Sequence, residues 1–573
     1  MADDSLSSEG RERAEALMRN HERYESERAN FDMLWEQIAE RLFPRAQHFT
    51  TKQMSQGDLR GERVFDNTPG LALDRFAAAV GSYLTPDSDQ WHGLEVSDPD
   101  LNENEEVREY LEIATDRLFA ARYRPGANFS SNMHECYLGL GAFGTCALFI
   151  DEAMGAHLRY RAMHLSEIYL GENHQGLVDR IHRGRFSMKA YQVAQLARDP
   201  NPAKRWTLPE CVKRALDGPT PNPMAEFEFI HCVYPNEDAD PRFADWRGMA
   251  YRSTYISCTD RSIVHEGGYR SMPYSVGRYV TGPRETYGRS PAMTVFRDIL
   301  MLNEMNKDVI RAAQLQVDPP ILVSEDGALS PFSMAPRSQN YGYLSDDGTP
   351  LVQALRPEGE LAVGLELIQD RRDAINHAFL ITLFEILVDN PKQTATEALL
   401  RAQEKGQLLG PALSRQQSEL HGTMIERELD ILAMAGQLPP MPDALAEAME
   451  EGGAGITVAF KAPINRLQKT DKAVGVLKAW EALTPLAAHD PSVLDVLDID
   501  EGARIVAESA GAPASAMRTP EEIEALRGNR QQRSDIEQMV AAAPQLAKTA
   551  RDLAQAQATG GNIPQPIPMV QPQ

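Results

Sequence analysis

The sequence predicts a mainly α-helical chain that carries a region of mixed α+β structure. Apolar residues recur at helical spacing in several long runs, and the ends of these runs coincide with prolines. From His157 to about Val280, short β-prone runs alternate with turn residues instead. The predicted strands there are Leu158 to Tyr160, Glu167 to Leu170, Phe227 to Tyr234, Met249 to Ser257 and Arg278 to Val280. Because 573 residues are too many for one hydrophobic core, we expect two to four modules.

Two helices are predicted near the N-terminus. The first covers about the first 45 residues and ends at Pro44, since proline cannot continue a helix. The second follows Asp66-Asn67-Thr68-Pro69, which offers capping side chains and a proline at a helix start, and it ends at Pro86. A further helical run, Phe129 to Leu140, leads into glycines and then a buried strand, Thr145 to Ile150.

Two long helices flank a proline-rich insert. Ser290 and Pro291 predict the start of the first, which runs to Gln316, about 25 residues or ~38 Å. Asp318-Pro319-Pro320 ends it, and the insert from Ile321 to Pro357 reads as a small hairpin-rich unit. The second long helix runs from Glu358 to Val388 and ends at the break Asp389-Asn390-Pro391-Lys392-Gln393.

The C-terminal part is also predicted to be largely helical. Thr394 and Glu397 match a capping box, and the helix behind them extends to about Met434. Gly455 to Lys461 reads as a strand, and helical pieces follow from Pro463. The Gln- and Pro-rich stretch from Gln555 to Gln573 is expected to be disordered in isolation.

Gly139, Gly141 and Gly144 match the G-x-G-x-x-G pattern of dinucleotide-binding sites. That fingerprint requires a strand before the glycines and a helix after them. Here the order is reversed, so we interpret the glycines as a tight packing turn and expect no cofactor.

No catalytic constellation is apparent. The sequence has no Walker A motif, no H-E-x-x-H and no G-x-S-x-G, and its 13 histidines are dispersed, so we expect neither an enzyme nor a metal site. Its five cysteines form no C-x-x-C pair, which favours reduced, mostly buried thiols in a chain assembled in cytosol. The longest apolar stretch, Phe379 to Val388, is too short to span a membrane.

The formal net charge is -25, from 58 basic and 83 acidic residues. This balance argues against tight binding of free DNA, because phosphate neutralisation by cations supplies most of that affinity. It is compatible with a surface past which DNA slides, and equally with an ordinary soluble acidic protein.

Several segments, in this order and spacing, resemble the head-to-tail connector, or portal, proteins of short-tailed phages. They are Arg63-Val64-Phe65-Asp66-Asn67-Thr68, Leu84-Thr85-Pro86 with Trp91, Asn128-Phe129, Gly141-Ala142-Phe143-Gly144-Thr145 and Thr394-Ala395-Thr396-Glu397. Together they span roughly residues 10 to 435. The resemblance implies a ring, usually of twelve subunits, at one capsid vertex of the virion, assembled in the host cytoplasm.

The resemblance also implies the portal architecture of wing, stem, clip and crown. The wing would be residues 1–289 and 394–462, the stem helices 290–316 and 358–388, and the clip 317–357. The crown would be 463–554, followed by a disordered tail, 555–573.

The same resemblance implies a conduit for double-stranded DNA. The implied partners are the terminase large subunit during packaging, tail adaptor and nozzle proteins, and capsid and scaffolding proteins.

Two sets of residues become site hypotheses in this context. Asp389, Asn390, Pro391, Lys392 and Gln393 would line a constriction of the channel, with Lys392 facing DNA; an ordinary helix–helix connection remains an equal alternative. The terminase and tail proteins would dock at the clip, through residues that include Pro319, Pro320, Pro331, Pro336, Tyr341 and Tyr343.

Two other functions remain open at this point. The chain could form a different phage ring, scaffold-like or tail-adaptor, without a genome-length channel. A nucleic-acid enzyme is disfavoured by the absent motifs and by the acidic charge.

Overall fold

The computed structural model describes residues 2–46, 48–50, 64–153, 157–240, 242–243, 245–323, 333, 335, 337–341, 343–345, 347–354, 361–381, 410, 413–452, 455–461, 475–484, 498–509, 523, 526–528 and 530. The chain divides into two units, residues 1–468 and 469–573, and each is described by itself. The second unit contains helical residues 475–484 and a helix at Ile499–Ser509, which agrees with the helical pattern predicted after Pro463.

The first unit mixes helices with several antiparallel sheets, which confirms the coarse prediction that helices are combined with an α+β region. Its helices are α1 (Ala2–Leu42), α2 (Thr68–Leu84), α3 (Pro99–Glu103), α4 (Glu105–Arg122), α5 (Phe129–Phe143), α6 (Ala190–Ala197), α7 (Glu210–Asp217), α8 (Pro291–Thr294), α9 (Phe296–Val317), α10 (Leu361–Ala378), α11 (Thr423–Met434) and α12 (Asp443–Glu450). Its strands are β1 (His92–Val96), β2 (Thr145–Ala153), β3 (His157–Met163), β4 (Ile168–Glu172), β5 (Val178–Lys189), β6 (Glu226–Pro235), β7 (Tyr251–Ser257), β8 (Ser262–Tyr269), β9 (Tyr274–Arg278), β10 (Val280–Thr281), β11 (Gly288–Arg289), β12 (Ile321–Val323), β13 (Val352–Ala354) and β14 (Ile456–Phe460).

The first two helices have the predicted positions. Helix α1 ends two residues before Pro44, and α2 begins at Thr68 with Pro69 in its first turn. The cap of α2 differs in detail from the prediction. Asp66 Oδ1 accepts a hydrogen bond from the Thr68 backbone N–H at 2.8 Å, whereas the Asn67 side chain makes no capping hydrogen bond.

Gly139 and Gly141 lie within α5, and only Gly144 forms the turn between α5 and β2, so the predicted order of helix and strand is confirmed but the turn is shorter than predicted. Gly144 has φ 78, and a Cβ at this position would lie 2.4 Å from the Gly288 carbonyl oxygen. A Cβ on Gly141 would lie 2.6 Å from a methyl carbon of Leu73, which means that this glycine lets α5 approach α2 closely. The glycines therefore serve packing.

Two antiparallel sheets form the α+β region. A five-stranded sheet has the order β4-β5-β6-β7-β8, and a three-stranded sheet has the order β3-β2-β9. The predicted strands that correspond to β3, β4, β6 and β7 are confirmed, but β5 and β8 were not predicted. The predicted strand Arg278 to Val280 is wrong in its bounds, because β9 ends at Arg278 and a separate two-residue strand begins at Val280.

The first long helix is interrupted near its start. Ser290 caps α8 as predicted, with its hydroxyl accepting from the Met293 N–H at 3.0 Å, but the chain leaves helical geometry at Val295, where φ is -101 and ψ is 17. The prediction of one continuous helix from Ser290 to Gln316 is therefore wrong at this point. Val295 and Phe296 are both buried, so tertiary packing decides the backbone geometry here.

The second long helix is shorter than predicted. Helix α10 ends at Ala378 rather than at Val388, and Leu380 adopts φ 60. Phe379 is fully buried and packs edge-to-face on Phe76 of α2, with ring centroids 6.1 Å apart. Burial of Phe379 against another helix therefore coincides with the turn that ends α10.

Residues 413–434 pack in the same core. A π-helical turn, Gln417–Gly422, leads directly into α11, within the stretch where a long helix is predicted. The predicted strand at 455–461 is confirmed as β14, which pairs antiparallel with β1, from His92 opposite Phe460 to Val96 opposite Ile456. Strand β1 was not predicted, because its partner lies more than 350 residues away along the sequence.

A buried ion pair joins α4 to α11. Both side chains of Arg122 and Glu428 are fully buried, and Arg122 Nη2 donates to Glu428 Oε2 at 2.5 Å. The Tyr160 hydroxyl donates to Glu428 Oε1 at 2.5 Å, and the guanidinium lies 4.7 Å from the ring centroid of Trp91. Burial opposes the charge of Arg122, but the Glu428 carboxylate holds the pKa of Arg122 above its ordinary value.

Neutral histidines surround this pair. Burial, with a smaller contribution from Arg122, lowers the pKa of His421 to about 3. His421 Nε2 lies 3.1 Å from the Tyr137 hydroxyl, which in turn lies 3.0 Å from the Thr85 hydroxyl. Burial also lowers the pKa of His92 well below its usual value. Arg122 therefore carries the positive charge of this region near neutral pH.

The cysteines agree with the predicted reduced state. All five are free, four of them are buried, and Cys258 is half-buried. Among the described residues, no helix combines the length and the apolar character that a membrane span requires.

The buried pair gives a prediction for stability. Arg122→Met and Glu428→Leu should each cost about 3–5 kcal/mol of unfolding free energy, because each leaves an uncompensated buried charge. The double variant should cost less than the sum of the two. Chemical unfolding of the purified subunit measures all three, with Arg45→Met, which removes an exposed pair with Glu135, as a control expected to cost at most about 1 kcal/mol. If the double variant lost as much stability as the two single variants together, the two residues would not be energetically coupled.

Candidate functional site

The two long helices pack as an antiparallel pair. Arg371 of α10 donates to Asp298 at the start of α9, at 2.8 Å. Further along, a Cβ on Gly364 would lie 3.4 Å from a methyl carbon of Val309. Beyond the helices, β12 pairs with β13, with Ile321 opposite Ala354. The partner numbers fall on α10 as they rise on α9, which establishes the antiparallel direction and places the insert at one end of the pair.

Asp66 joins the middle of α9 to α10. Its Oδ2 accepts from Arg372 Nη2 of α10 at 2.9 Å and from Asn306 Nδ2 of α9 at 2.6 Å. Next to it, the Phe65 backbone N–H donates to Asn303 Oδ1 at 2.7 Å. One buried carboxylate thus binds both helices to the segment that precedes α2.

The helix pair carries exposed apolar side chains along its length. They are Met301, Ile310, Leu315 and Val317 on the first helix and Leu365 and Leu367 on the second, with exposed fractions from 42% to 87%. Exposed apolar groups grouped on one element are typical of a surface that a partner covers. The subunit alone leaves this surface in water.

The insert is described in part. The described residues there form the two-stranded pair of β12 and β13 and a bridge between Leu344 and Pro350. Of the residues predicted to dock partners, Pro319 is buried where α9 ends, Pro320 and Tyr341 are exposed, and Tyr343 is half-buried. Pro331 and Pro336 lie outside the described residues.

The predicted channel loop, Asp389 to Gln393, also lies outside the described residues, as do Thr394 and Glu397. The structure does describe both of its flanks. On one side Phe379 and Ile381 are buried, and on the other side Leu413 and Gln416 are buried. The described residues on both sides of this stretch therefore belong to one hydrophobic core.

The returning segment is bound to β9 and its neighbours by polar contacts. Gln416 Nε2 donates to the Arg278 carbonyl at 2.6 Å, and the Ser275 hydroxyl lies 2.8 Å from that of Thr423. Arg278 donates to Glu419 at 2.9 Å and also pairs with Glu172. Burial opposes its charge, but these two carboxylates raise the pKa of Arg278 above its ordinary value.

A surface cleft of about 580 Å³ opens beside these contacts, lined by residues that include Arg278, Arg284, Arg415, Glu172, Glu285 and Glu419. Its charges largely compensate one another, since Arg278 pairs with two of the carboxylates and Glu285 pairs with Arg289. Among the residues that the structure describes, no three His, Cys, Asp or Glu side chains converge to hold a metal ion. The arrangement serves positioning rather than chemistry.

The family model for the bacteriophage head to tail connecting protein matches residues 14–517, which is most of the chain. The chain belongs to this connector family. The family is structural, which confirms the sequence-based prediction that the connector is not an enzyme. The predicted resemblance is confirmed as well.

Two curated proteins are similar to this connector over nearly its whole length. The probable portal protein of Bordetella phage BPP-1 is 27% identical over 534 residues, which cover 92% of this chain and 93% of that protein. The portal protein of Salmonella phage epsilon15 is 25% identical over 552 residues, which cover 95% of this chain and 96% of that protein.

Sequence reasoning missed the structural role of Asp66 in the connector. The segment Arg63 to Thr68 was noted for its resemblance and as a helix cap, but its contacts with Asn306 and Arg372 are not local in sequence. The available signal was an aspartate just before a helix whose neighbour Asn67 could cap that helix equally well. Such a residue is a candidate for a tertiary contact.

This geometry gives a second prediction. Asp66→Asn should destabilise the connector subunit by about 1–3 kcal/mol, because a buried acceptor of charge-assisted hydrogen bonds loses its charge. Asp298→Asn is the matched control: its pair with Arg371 is about one-third exposed on each side, so it should cost at most about 1 kcal/mol. Unfolding midpoints in denaturant measure both, and equal losses would contradict the central role of Asp66.

Proposed function

We propose that the chain is a phage portal subunit, which forms a ring at one capsid vertex. The ring is the conduit through which DNA enters during packaging and leaves at ejection, and it is the platform for tail proteins. The observation that carries the proposal is similarity to two portal proteins over more than nine-tenths of the chain, together with the connector family match. Terminase, capsid, scaffolding and tail proteins are the expected partners.

The portal architecture fits the described elements. We assign α9 and α10 to the stem, the insert of residues 317–357 to the clip, and residues 1–289 and 394–462 to the wing. We assign residues 463–554 to the crown and residues 555–573 to the tail that follows it. The stem assignment is supported by the antiparallel pair, whose insert sits at one end, and by exposed apolar groups that neighbouring copies would cover.

The net charge suits a channel in which DNA slides. A ring of twelve such chains would carry -300 formally, from -25 per chain, so the bore would be mainly repulsive to the duplex. Repulsion keeps DNA centred, and salt screens it beyond about 8–10 Å. Isolated cations at a constriction then contact single phosphates.

Electron microscopy of the purified chain tests the proposal. A closed ring with a central channel wide enough for duplex DNA is the expected result. A ring without such a channel would favour a scaffold-like or tail-adaptor role instead. A monomer would contradict both readings.

Lys392 gives a prediction for the channel. We assign residues 389–393 to the channel loop, because Asp389-Asn390-Pro391 breaks the helical pattern between the stem and the wing. Lys392→Glu should shift the packaged genome length and slow ejection, because a phosphate contact becomes a repulsion. Lys307→Glu serves as the matched control, since Lys307 lies on the stem beside Glu304. Packaging and ejection that stay at the wild-type level in Lys392→Glu would remove Lys392 from the mechanism.

The clip gives a further prediction. Deleting the tip between Met334 and Gly348 removes exposed side chains such as Tyr341 and Leu344 but keeps β12 and β13. Rings should still form, while binding of the terminase large subunit, measured by pull-down with purified rings, should be lost. Loss of the rings would make the insert an assembly element, and retained terminase binding would move the docking site elsewhere.

A further inference from the structure

A basic surface stands out in this acidic chain. Between residues 198 and 214 the sequence has five basic residues, Arg198, Lys204, Arg205, Lys213 and Arg214, but only two acidic ones, Asp199 and Glu210. The whole chain has the opposite balance, with 58 basic and 83 acidic residues. We call these five residues the basic corner.

The fold brings the basic corner together. Helices α6 and α7 share a small hydrophobic cluster of their own, which includes Val193, Trp206 and Val212. The backbone N–H of Trp206 donates to the Leu196 carbonyl at 3.2 Å, so the loop after α6 folds back along the end of that helix. All five cationic side chains of the corner are exposed.

Three of these cations have no carboxylate partner among the described residues. Lys204 pairs with Glu152 at 2.9 Å, and Lys213 pairs with Glu210 at 2.6 Å. Arg205 donates only to the Asp199 backbone carbonyl, at 3.0 Å, while Arg198 and Arg214 have no ion pair within the described part of the chain. The corner therefore presents uncompensated positive charge to solvent.

Helix α12 presents the complementary charge. Its carboxylates Asp443, Glu447 and Glu450, with Glu451 directly after it, are exposed and form no ion pair among the described residues. Three of the four lie at the C-terminal end, where the helix dipole disfavours negative charge. Only Leu445 of this helix is buried, in the main core, so α12 and the basic corner rest on separate hydrophobic clusters.

Each surface also has an apolar neighbour. Met449 lies on α12 and is 39% exposed, and Met224 is 62% exposed. Met224 follows Pro223, whose carbonyl accepts from the N–H of Tyr191 at the start of α6. Apolar groups beside complementary charges are the composition of a protein–protein interface rather than of a surface for the DNA backbone.

A ring of identical chains needs two different, complementary surfaces on every copy, since each copy meets its neighbours head to tail. We propose that the basic corner of one copy docks on α12 of the neighbouring copy. This inference rests on the proposed function, because it requires a ring. The proposed contact joins the wings of neighbouring copies electrostatically. It acts in addition to the apolar contacts proposed for the stem.

Charge reversal on each surface tests the contact. One variant carries R198E, R205E and R214E, and a second carries E447K, E450K and E451K. Each variant alone should form rings at least about tenfold less well than the wild type, because like charges then face each other. The lysines favour the end of α12 through the helix dipole, so misfolding would not explain a loss in the second variant.

Mixing the two charge-reversal variants gives the decisive test of the contact. In an alternating ring every interface again joins opposite charges, so an equimolar mixture should recover rings, as should one chain that carries all six substitutions. Mass photometry or sedimentation measures the ring fraction. R242E/R247E, which alters exposed arginines already paired with Asp240 and Asp245, is the control and should assemble like the wild type.

The failures are distinguishable. Wild-type protein that forms no ring would overturn the proposed function and, with it, this contact. Wild-type rings together with either variant assembling normally would overturn the contact and leave the proposed function standing. Rings lost in the single variants but not recovered in the mixture or in the six-substitution chain would also overturn the contact.

Discussion

The structure depends on one buried ion pair between two distant parts of the sequence. Arg122 and Glu428 are 306 residues apart, yet both are fully buried and bonded to each other. The Tyr160 hydroxyl, which donates to Glu428, and the ring of Trp91, which faces the guanidinium of Arg122, complete their surroundings. The pair fixes α11 to α4, and the chain between them contributes α5, β2, β3 and β9 to the same core before it forms the helix pair and its insert.

Two further contacts attach the long helix pair to this core. Asp66 bonds both helices, and Phe379 buries its ring against α2 where α10 ends. Residues 413–434 then rejoin the core through Arg278 and Gln416. These contacts hold the pair, while its exposed apolar side chains remain accessible in the subunit. The proposed portal ring would use both properties.

Local signals in the sequence predicted much of this fold. Proline placement gave the ends of α1, α2 and α9, and the helix-then-strand order around Gly144 excluded a dinucleotide site. Long-range contacts decided the rest. The pairing of β1 with β14, the break at Val295 and the end of α10 at Ala378 depend on partners far away in sequence. For the same reason, neither the Arg122–Glu428 pair nor the hydrogen bonds of Asp66 with both helices can be recognised from a single sequence.

The central claim is that exposed apolar side chains of the helix pair become part of the interfaces between copies. A cysteine at Met301, which is 49% exposed in the subunit, tests this claim through the rate of its reaction with a maleimide. The rate is compared between dissociated subunits and assembled rings and calibrated on denatured protein. Labelling that is fast in the subunit and strongly slowed in the ring is the predicted result. Equal rates in both states would mean that the helix pair does not join neighbouring copies at this position.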